Sequence, residues 1–448
     1  MNQEKKPEIE EILSYIENYH PSDIAYRLKK LHKKDKEKFY SSLHKIPEDY
    51  LGEVLLELPD SLREKAYREL SIEQISEALE ELETDDATDI ILDLEEIDKE
   101  KAEDILSSLD QEDQDDINWL KKYHEDKAGA YMQTELFSAN QDETIQESID
   151  RLKQLKIDDE LENIHQVFIV DDEKTLLASI SLEDLITSDF KRTYKELLTC
   201  DSEKTFKPFY VLGDDDIDDV VKMFEDYNLS VVAVIGYKNR LLGRITADDI
   251  MDVMEQSATE QMYQLAGVDE DSEQDEELLQ TGKKRASWLF INLLTAILAS
   301  LVIGLFDETL KEYIALAILM PIVASMGGNA GTQTLAVMVR QLALGEIDEQ
   351  NSRDAIKKEI ALSLFNGAIF AIILGLIAFA WFQNPLLGFV IALSMVITLF
   401  SAGFFGAMIP LVLKRLEVDP AIGSTVILTT VTDIMGFFSF LALAKGIL

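Results

Sequence analysis

Cysteine and histidine are scarce in this sequence, which narrows the chemistry open to it. Cys200 is the only cysteine among 448 residues, so neither an intrachain disulfide nor a cysteine-based zinc site is possible. The five histidines all precede residue 166, before the long apolar runs near the C-terminus. No catalytic triad, phosphate-binding glycine loop or metalloprotease motif is present. We therefore do not expect an enzyme, and we expect any metal ion among the apolar runs to meet oxygen ligands.

Basic residues are few, and no secretory leader is expected. The first six residues are polar and lack the apolar core of a signal peptide. The chain has 42 Lys and Arg against 85 Asp and Glu, a net charge of −43, and residues 283–448 contain 11 of each sign. The entire excess of negative charge therefore belongs to residues 1–282. Such acidity disfavours binding to nucleic acid or anionic membranes and concentrates cations, although it also serves solubility.

Glycine and strand-like alternation are almost absent from residues 8–125. Short amphipathic units fill this segment, and each ends on an apolar residue at a nearly constant spacing from the last. One helix of about two to three turns per unit, stacked into a superhelix, fits this repeat. We therefore predict an acidic all-α domain over residues 1–130. The unit-ending residues are Leu31, Ile46, Leu58, Leu70, Leu82, Leu94 and Leu109.

Prolines and aspartates mark particular positions within this helical repeat. Pro47 and Pro59 fall where one unit ends and the next helix is expected to start. A turn containing Asp85, Asp86 and Asp89 would present their carboxylates to a neighbouring domain. A repeat of this kind is ordinarily a scaffold, and that is the first interpretation here.

Residues 131–255 contain an internal duplication, in which the segment that starts at His165 aligns without gaps with the one that starts at Ser230. Each copy has a buried-type strand, a polar turn, a second strand and a helix start, with the N-cap pairs Ser181/Asp184 and Thr246/Asp249. This arrangement resembles a tandem pair of CBS domains, which are α/β modules. The resemblance implies an adenosine-nucleotide site, such as one for ATP, with Asp184 or Asp249 on the ribose. Helix capping alone would also explain both aspartates.

Residues 256–282 are predicted to connect this pair to the apolar runs. Helical spacing extends from Asp248 to Leu265, and an acidic stretch at 269–277 and the basic triplet at 283–285 follow. An acidic run is usually a solvated linker. Because this acidic stretch lies directly before the apolar runs, it is also a candidate segment for transmitting a conformational change from a sensor to a pore.

Five apolar runs in residues 283–448 predict an α-helical transmembrane domain with five spans, because each is long enough to cross ~30 Å of hydrocarbon. Flanking basic residues are concentrated on one side, so the positive-inside rule places the acidic region in the cytoplasm and the C-terminus outside the cell membrane. Five spans have no internal two-fold repeat, so a pore on an axis would most simply come from a homodimer. The runs cover residues 288–306, 313–339, 360–382, 386–413 and 420–444.

Asp433 is the only ionisable residue of the fifth run and lies one position from its centre. A carboxylate at mid-membrane costs about 2.5–3.5 kcal/mol on insertion scales, so it normally faces a bundle interior or a water path. Thr429, Thr430 and Thr432 supply further oxygens just before it. Asp433 is therefore either a structural carboxyl inside a helix bundle or a cation site in a pore.

The second run contains an unusual density of small and polar residues, Gly-Gly-Asn-Ala-Gly-Thr-Gln at 327–333. Small residues alone would indicate tight helix packing, whereas Asn329, Thr332 and Gln333 favour a pore lining with locally broken helical backbone. Asp419 and Pro420 have the signature of a helix N-cap and first position, and the Asp419 carboxylate would also stand at a cytoplasmic pore mouth. These oxygen donors favour a hard cation such as Mg²⁺, held largely through its water shell.

Three motifs, which follow an acidic helical domain and a CBS pair, resemble the MgtE family of magnesium channels and transporters. They are the glycine-rich motif at 327–333, Asp-Pro-Ala at 419–421 and Thr-Thr-Val-Thr-Asp at 429–433. The resemblance implies a homodimer with a pore on the dimer axis, where Asp433 is the selectivity carboxylate and Asp419 lies near the cytoplasmic mouth. From the composition of the second and fifth runs, we expect Asn329 and Thr429 to contribute further oxygens to this pore.

The same resemblance implies that cytosolic Mg²⁺ binds between acidic domain faces and closes the pore. Asn228, Ser257 and Gln261 stand where carboxylates are expected in the family, which leaves the number of sensor sites open. The sensor ligands implied are Asp86, Asp89, Asp216, Asp218, Asp249, Asp252 and Glu260.

Two other functions compete with a Mg²⁺ channel at this stage. An ion-coupled secondary transporter would use Asp433 as a proton or sodium site. A membrane sensor without transport would be built on the nucleotide-binding pair. Five complete spans with a polar central seam favour transport.

Overall fold

The computed structural model describes residues 9–157, 161, 163–200, 206–266, 268, 278–347, 351–416 and 418–448. It contains two compact units, Met1–Met254 and Glu255–Leu448. The predicted fold class is confirmed, because an all-α region, a duplicated α/β region, a connecting helix and five long apolar helices follow one another along the chain. The acidic linker predicted at 269–277 lies outside the described residues.

In the described part of the first unit, nine short α-helices come first, and their inner faces build one apolar core. Most of the predicted unit-ending residues are buried between them, as at Leu58, Leu70 and Leu109. Pro47 and Pro59 are the N-caps of α4 and α5, as predicted. The helices are α1 Ile9–Ser14, α2 Pro21–Lys34, α3 Lys36–Leu43, α4 Glu48–Leu56, α5 Asp60–Glu69, α6 Ile72–Glu80, α7 Thr84–Ile97, α8 Lys99–Ser108 and α9 Gln111–Leu120.

Asp85, Asp86 and Asp89 lie on the first two turns of α7, so the prediction of a turn at this point is wrong. The free backbone N–H groups and the positive end of the helix dipole favour acidic residues at a helix start. The polar sequence that was interpreted as a turn is therefore the beginning of a helix.

Two three-stranded sheets of identical topology follow within the described ranges, so the predicted duplication is confirmed. In each sheet the first pair of strands is parallel and the second pair antiparallel. Gln166 pairs with Ser181, and Val231 pairs with Thr246 at the equivalent positions of the second copy. The strands are β1 Ser138–Asn140, β2 Gln166–Val170, β3 Leu176–Ser181, β4 Tyr210–Leu212, β5 Val231–Ile235 and β6 Leu241–Thr246.

Apolar side chains from both sheets share one core, in which Phe168 of β2 packs with Ala233 of β5. Helices complete each module, and Ser181 caps α11 with its side chain as predicted. These helices are α10 Ile145–Ile157, α11 Leu182–Ile186, α12 Tyr194–Cys200, α13 Ile217–Tyr227 and α14 Ala247–Leu265.

Among its described residues, the second unit contains five helices that are long and apolar enough to cross a membrane, which confirms the five predicted spans. The fourth of them is the most enclosed and packs against three of the others. The helices are α15 Leu278–Gly304, the short α16 Asp307–Glu312, α17 Ile314–Ala343, α18 Ser352–Phe382, α19 Pro385–Arg415 and α20 Ser424–Ile447.

The start of α20 differs from the prediction of a helix N-cap at Asp419 and a first helical residue at Pro420. The helix begins at Ser424, after Gly423, whose φ of +66° is the left-handed conformation that glycine adopts without strain. Asp419 Oδ1 accepts a hydrogen bond from the backbone N–H of Ala421 at 2.7 Å. Asp419 therefore caps a turn that precedes the helix.

Candidate functional site

Asp433 is the tenth residue of the 24-residue helix α20, so its carboxyl group lies in the middle of a membrane span. The residue is half-buried, and no hydrogen bond or ion pair of its side chain is found among the residues that the structure describes. Thr429 lies one turn earlier on the same helical face. The Thr429 hydroxyl donates to the carbonyl of Thr425 at 2.9 Å, which leaves its oxygen available as an acceptor.

Close contact between α17 and α20 holds the helix that carries Asp433. A Cβ atom added at Gly327 would lie 2.7 Å from Thr398 Cγ2 of α19 and 3.7 Å from Thr432 Cβ of α20. One added at Gly331 would lie 3.1 Å from Leu428 of α20. The helix α17 is continuous through this region, so the expected break in its backbone is absent from the described residues of that helix. The glycines serve packing.

The polar residues of the same motif lie on another face of α17, where they line a cavity of about 620 Å³. Asn329, Thr332 and Gln333 of α17 and Asn366 of α18 are its polar lining, and Asp433 is not among the lining residues. Asn366 was missed from the sequence, although a carboxamide within an apolar run is itself a signal. The packing interpretation therefore applies to Gly327 and Gly331, and the pore lining by Asn329, Thr332 and Gln333 stays a prediction.

The end of the connecting helix α14 contacts the start of α20. Thr425 Oγ1 donates to the backbone carbonyl of Leu265 at 2.9 Å. Leu265 also packs against a cluster that includes Leu335 of α17 and Leu428 of α20. The last residue of α14 is thereby attached to the helix that carries Asp433.

A second group of carboxylates lies in the first unit, and we call it the acidic cluster: Glu83, Asp85, Asp86, Asp89 and Asp249. Burial raises the pKa of Asp86 to about 8, and repulsion from Asp249 adds to the shift. Burial likewise raises the pKa of Glu83 to about 7, against the opposing charge of Arg244. Burial also raises the pKa of Asp249 to about 6. Asp89 is more exposed, at the edge of the cluster.

Burial is the main cause of these raised pKa values, and repulsion between neighbouring carboxylates adds to it. A bound cation would relieve that repulsion when the groups are ionised. Among the described residues, no three His, Cys, Asp or Glu side chains converge closely enough to ligate one metal ion directly. Mg²⁺ keeps several of its waters and typically needs only one or two carboxylates. The cluster therefore fits a hydrated divalent cation better than a stripped one.

The structure brings Asp86, Asp89 and Asp249 of the predicted sensor ligands together. Sequence reasoning missed Glu83 as a member; its position directly before an acidic helix start was the available signal.

The remaining predicted sensor ligands lie on or beside α13 and α14. Asp216 forms an ion pair with Lys127, and Asp218 is exposed on the first turn of α13. Further along α14 lie Asp252, which is exposed, and Glu260, whose Oε1 accepts a hydrogen bond from Gln264. Asp252 lies near enough to Asp249 of the acidic cluster for its charge to raise the Asp249 pKa.

Each of the two helix-start aspartates that were proposed for nucleotide binding forms a hydrogen bond with the residue before its helix. Asp184 N donates to Ser181 Oγ at 3.1 Å, and Thr246 N donates to Asp249 Oδ2 at 3.2 Å. The helix starts predicted after Ser181 and Thr246 are confirmed. Asp249 has a second structural task as well, because Gln133 Nε2 donates to the same carboxylate oxygen at 3.1 Å.

Three family models match successive parts of the chain. A model described as a divalent cation transporter, MgtE, matches residues 320–443, and one described as the MgtE intracellular N domain matches residues 19–126. The CBS domain model matches residues 128–190 and 204–256. The order of these matches is the order of parts seen in the structure.

Individual proteins are similar over most of the chain. The magnesium transporter MgtE of Thermus thermophilus is 32% identical over 337 residues, which are 74% of this chain and 72% of the relative. That of Bacillus subtilis is 29% identical over 333 residues, 74% of this chain and 71% of the relative. A crystal structure of the cytosolic domain of the Mg²⁺ channel MgtE in complex with ATP covers 55% of this chain and 94% of its own, at 27% identity and a TM-score of 0.49. Together, the extent of the sequence identity and the order of the family models show that this chain belongs to the MgtE family of magnesium transporters.

Proposed function

We propose that this protein is a Mg²⁺-selective channel that imports Mg²⁺ across the cell membrane and is closed by cytosolic Mg²⁺. Asp433 carries the proposal for the pore, because it is a half-buried carboxylate in the middle of a span without a partner among the described residues. Retaining such a group costs about 2.5–3.5 kcal/mol of insertion free energy, which favours a functional role. Carboxylate oxygen is a ligand suited to Mg²⁺.

The pore lies on the axis of a homodimer in this proposal. One chain supplies a single Asp433, and two copies around an axis would supply a charge of −2 at one level. Exposed polar side chains on α17, Ser325, Asn329, Thr332 and Gln333, support the dimer, because such a face is poor lipid-facing surface and needs a cover.

A hydrated Mg²⁺ would pass Asp433, and the other predicted pore groups would contact its water shell. Asn329 and Thr429 supply neutral oxygens, and Asp419 a carboxylate towards the cytoplasmic mouth. The excess of basic residues on one side of the spans supports a cytoplasmic N-terminal region and an extracytoplasmic C-terminus.

Gating by Mg²⁺ follows from the acidic cluster in this proposal. Bound Mg²⁺ neutralises the carboxylates of α7 and the start of α14, while the end of α14 is hydrogen-bonded to α20 through Leu265 and Thr425. Moving a two-state gate from 1:99 to 99:1 needs about 5.5 kcal/mol of differential binding, which several weak Mg²⁺ sites can supply together.

Further ligands complete the proposed cytosolic sensor. Asp216, Asp218, Asp252 and Glu260 add further carboxylates to it. ATP at Asp184 or Asp249 stays a prediction.

The test is Mg²⁺ flux into liposomes that contain the full-length chain, with wild type beside Asp433→Asn. The exposed Asp354, which pairs with Lys357 outside the apolar core, provides the matched control Asp354→Asn. Passive flux that is lost in Asp433→Asn, kept in the control and reduced as Mg²⁺ rises on the cytoplasmic side supports pore and sensor. Flux that requires a proton or sodium gradient identifies a coupled carrier instead, and no flux at all contradicts transport.

A further inference from the structure

Arg244 is a buried cation between the helical domain and the second α/β module. Its side chain is 3% exposed, and it extends from β6. Its Nη2 donates to Glu83 Oε1 at 3.0 Å, directly before α7, and its Nη1 donates to the backbone carbonyl of Asn163 at 2.9 Å. One guanidinium group therefore joins two parts of the first unit that are 161 residues apart in the chain.

The position of this arginine is defined by backbone hydrogen bonds in both directions. Arg244 N donates to the carbonyl of Gln133 at 2.9 Å, and Gln133 N donates to the carbonyl of Arg244 at 2.8 Å. The next residues after Gln133 contact α7 as well, since Thr134 Oγ1 lies 2.7 Å from Thr84 Oγ1 and Glu135 Oε2 accepts from Thr84 N at 3.3 Å. The contact between the two domains thus combines an ion pair with neutral hydrogen bonds.

The internal duplication provides a control for what the fold itself requires at this position. In the first module, the equivalent strand position holds Ser179. The module therefore forms with a small hydroxyl side chain there, so its strand does not need an arginine. A buried guanidinium with a partner on another domain is explained by that partner, because a buried charge is stable only when it is paired.

Charge in the acidic cluster opposes contact between the domains, because Asp86 on α7 and Asp249 on α14 repel each other when ionised. Arg244 supplies a fixed positive charge at the same contact, through Glu83. This charge is present whether or not a divalent cation is bound.

We propose that the Glu83–Arg244 ion pair is a Mg²⁺-independent latch that holds the helical domain on the second module. The latch adds to the attraction between the domains and thereby lowers the Mg²⁺ concentration at which the acidic cluster closes the channel. This effect on closure rests on the proposed function. Arg244 is a positioning residue in this role, and the divalent cation completes a contact that the ion pair begins.

Hydrogen exchange of the first-turn amides of α7, measured in the full-length protein in EDTA and across a Mg²⁺ titration, tests the latch. In EDTA, we expect Glu83→Gln and Arg244→Met each to raise that exchange at least ~10-fold, the loss expected for a charge-assisted hydrogen bond. The Mg²⁺ concentration for half-maximal protection should rise by a similar factor. Glu81→Gln and Arg240→Met remove the same charges from exposed neighbouring positions and should leave both values unchanged.

Exchange in Glu83→Gln that equals the wild-type rate in EDTA would overturn the latch. Arg244→Met alters a buried strand position, so the protection of β6 amides in this variant checks that it is folded. If Arg244→Met is unfolded, the result for Glu83→Gln alone decides the test. A wild-type chain whose α7 exchange ignores Mg²⁺ would contradict the sensor, not the latch, because the comparison in EDTA does not involve the metal.

Discussion

Thr425, in the first turn of α20, donates a hydrogen bond from its hydroxyl group to the backbone carbonyl of Leu265, the last residue of α14, at 2.9 Å. The acceptor belongs to the helix that carries Asp249 in its first turn, and the donor belongs to the helix that carries Asp433. This hydrogen bond, together with the packing of Leu265 against the cluster that contains Leu428, attaches the connecting helix to the proposed pore helix. A change in its strength should change the gate.

Thr425→Val removes this donor with little change in side-chain volume. We infer that this bond belongs to the closed state. We therefore expect more Mg²⁺ flux at high cytosolic Mg²⁺, with the concentration for half-maximal closure raised about 5-fold, because the closed state loses one hydrogen bond of ~1 kcal/mol. Liposome flux at stepped Mg²⁺ concentrations measures it. Thr295→Val is the matched control, since that hydroxyl donates to the backbone carbonyl of Asn292 within α15. Equal closure in both variants would contradict the role of Thr425.

Mg²⁺ should stabilise the cytosolic region through the acidic cluster. In the full-length chain, we expect a higher unfolding temperature in Mg²⁺ than in EDTA, since a ligand at ~100 times its dissociation constant adds about 2.7 kcal/mol to the free energy of unfolding. The double variant Asp86→Asn/Asp249→Asn should lose this response, because both changes remove carboxylate oxygens. Asp104→Asn, on the exposed face of α8, should keep it. A double variant with the wild-type response would exclude the cluster as the site.

Acid should stabilise the same region when no divalent cation is present. The pKa values of Asp86, Glu83 and Asp249 are raised to about 8, 7 and 6, so the folded chain binds more protons than the unfolded chain above pH ~4. The free energy of unfolding should therefore fall as pH rises from about 5 towards 8. Denaturant unfolding in EDTA at several pH values measures this slope. Because Glu83 keeps a raised pKa in Asp86→Asn/Asp249→Asn, we expect a smaller slope in that variant, and a slope of wild-type size would assign the effect to other groups.

Substitution by alanine should lower the stability of the membrane unit at one glycine and leave it unchanged at another. A Cβ atom at Gly406 of α19 would lie 2.9 Å from the backbone carbonyl oxygen of Gly331, which cannot move away without shifting α17. We expect Gly406→Ala to lower the free energy of unfolding by about 1–3 kcal/mol, as overpacking does. Gly328→Ala meets nothing within 4 Å in this chain and should be tolerated. Unfolding in detergent compares the two, and equal stability would contradict this packing of α17 on α19.

Features that repeat or extend along the chain were determined by the sequence itself. Five apolar runs became five long helices, and the internal duplication became two sheets with the same register, because hydrophobic length and alternation are local properties. The N-cap pairs at Ser181 and Thr246 were equally readable, since a cap involves residues three positions apart.

Contacts between distant residues were decided only by the tertiary structure. The pairing of Glu83 with Arg244, the meeting of Asp86 with Asp249 and the cavity shared by Asn329 and Asn366 each join segments that no local pattern connects. The start of α20 likewise followed from the left-handed backbone of Gly423 and not from a cap signature four positions earlier. Local sequence sets which elements form, whereas burial of charge and close helix packing, which depend on the whole fold, set which side chains meet.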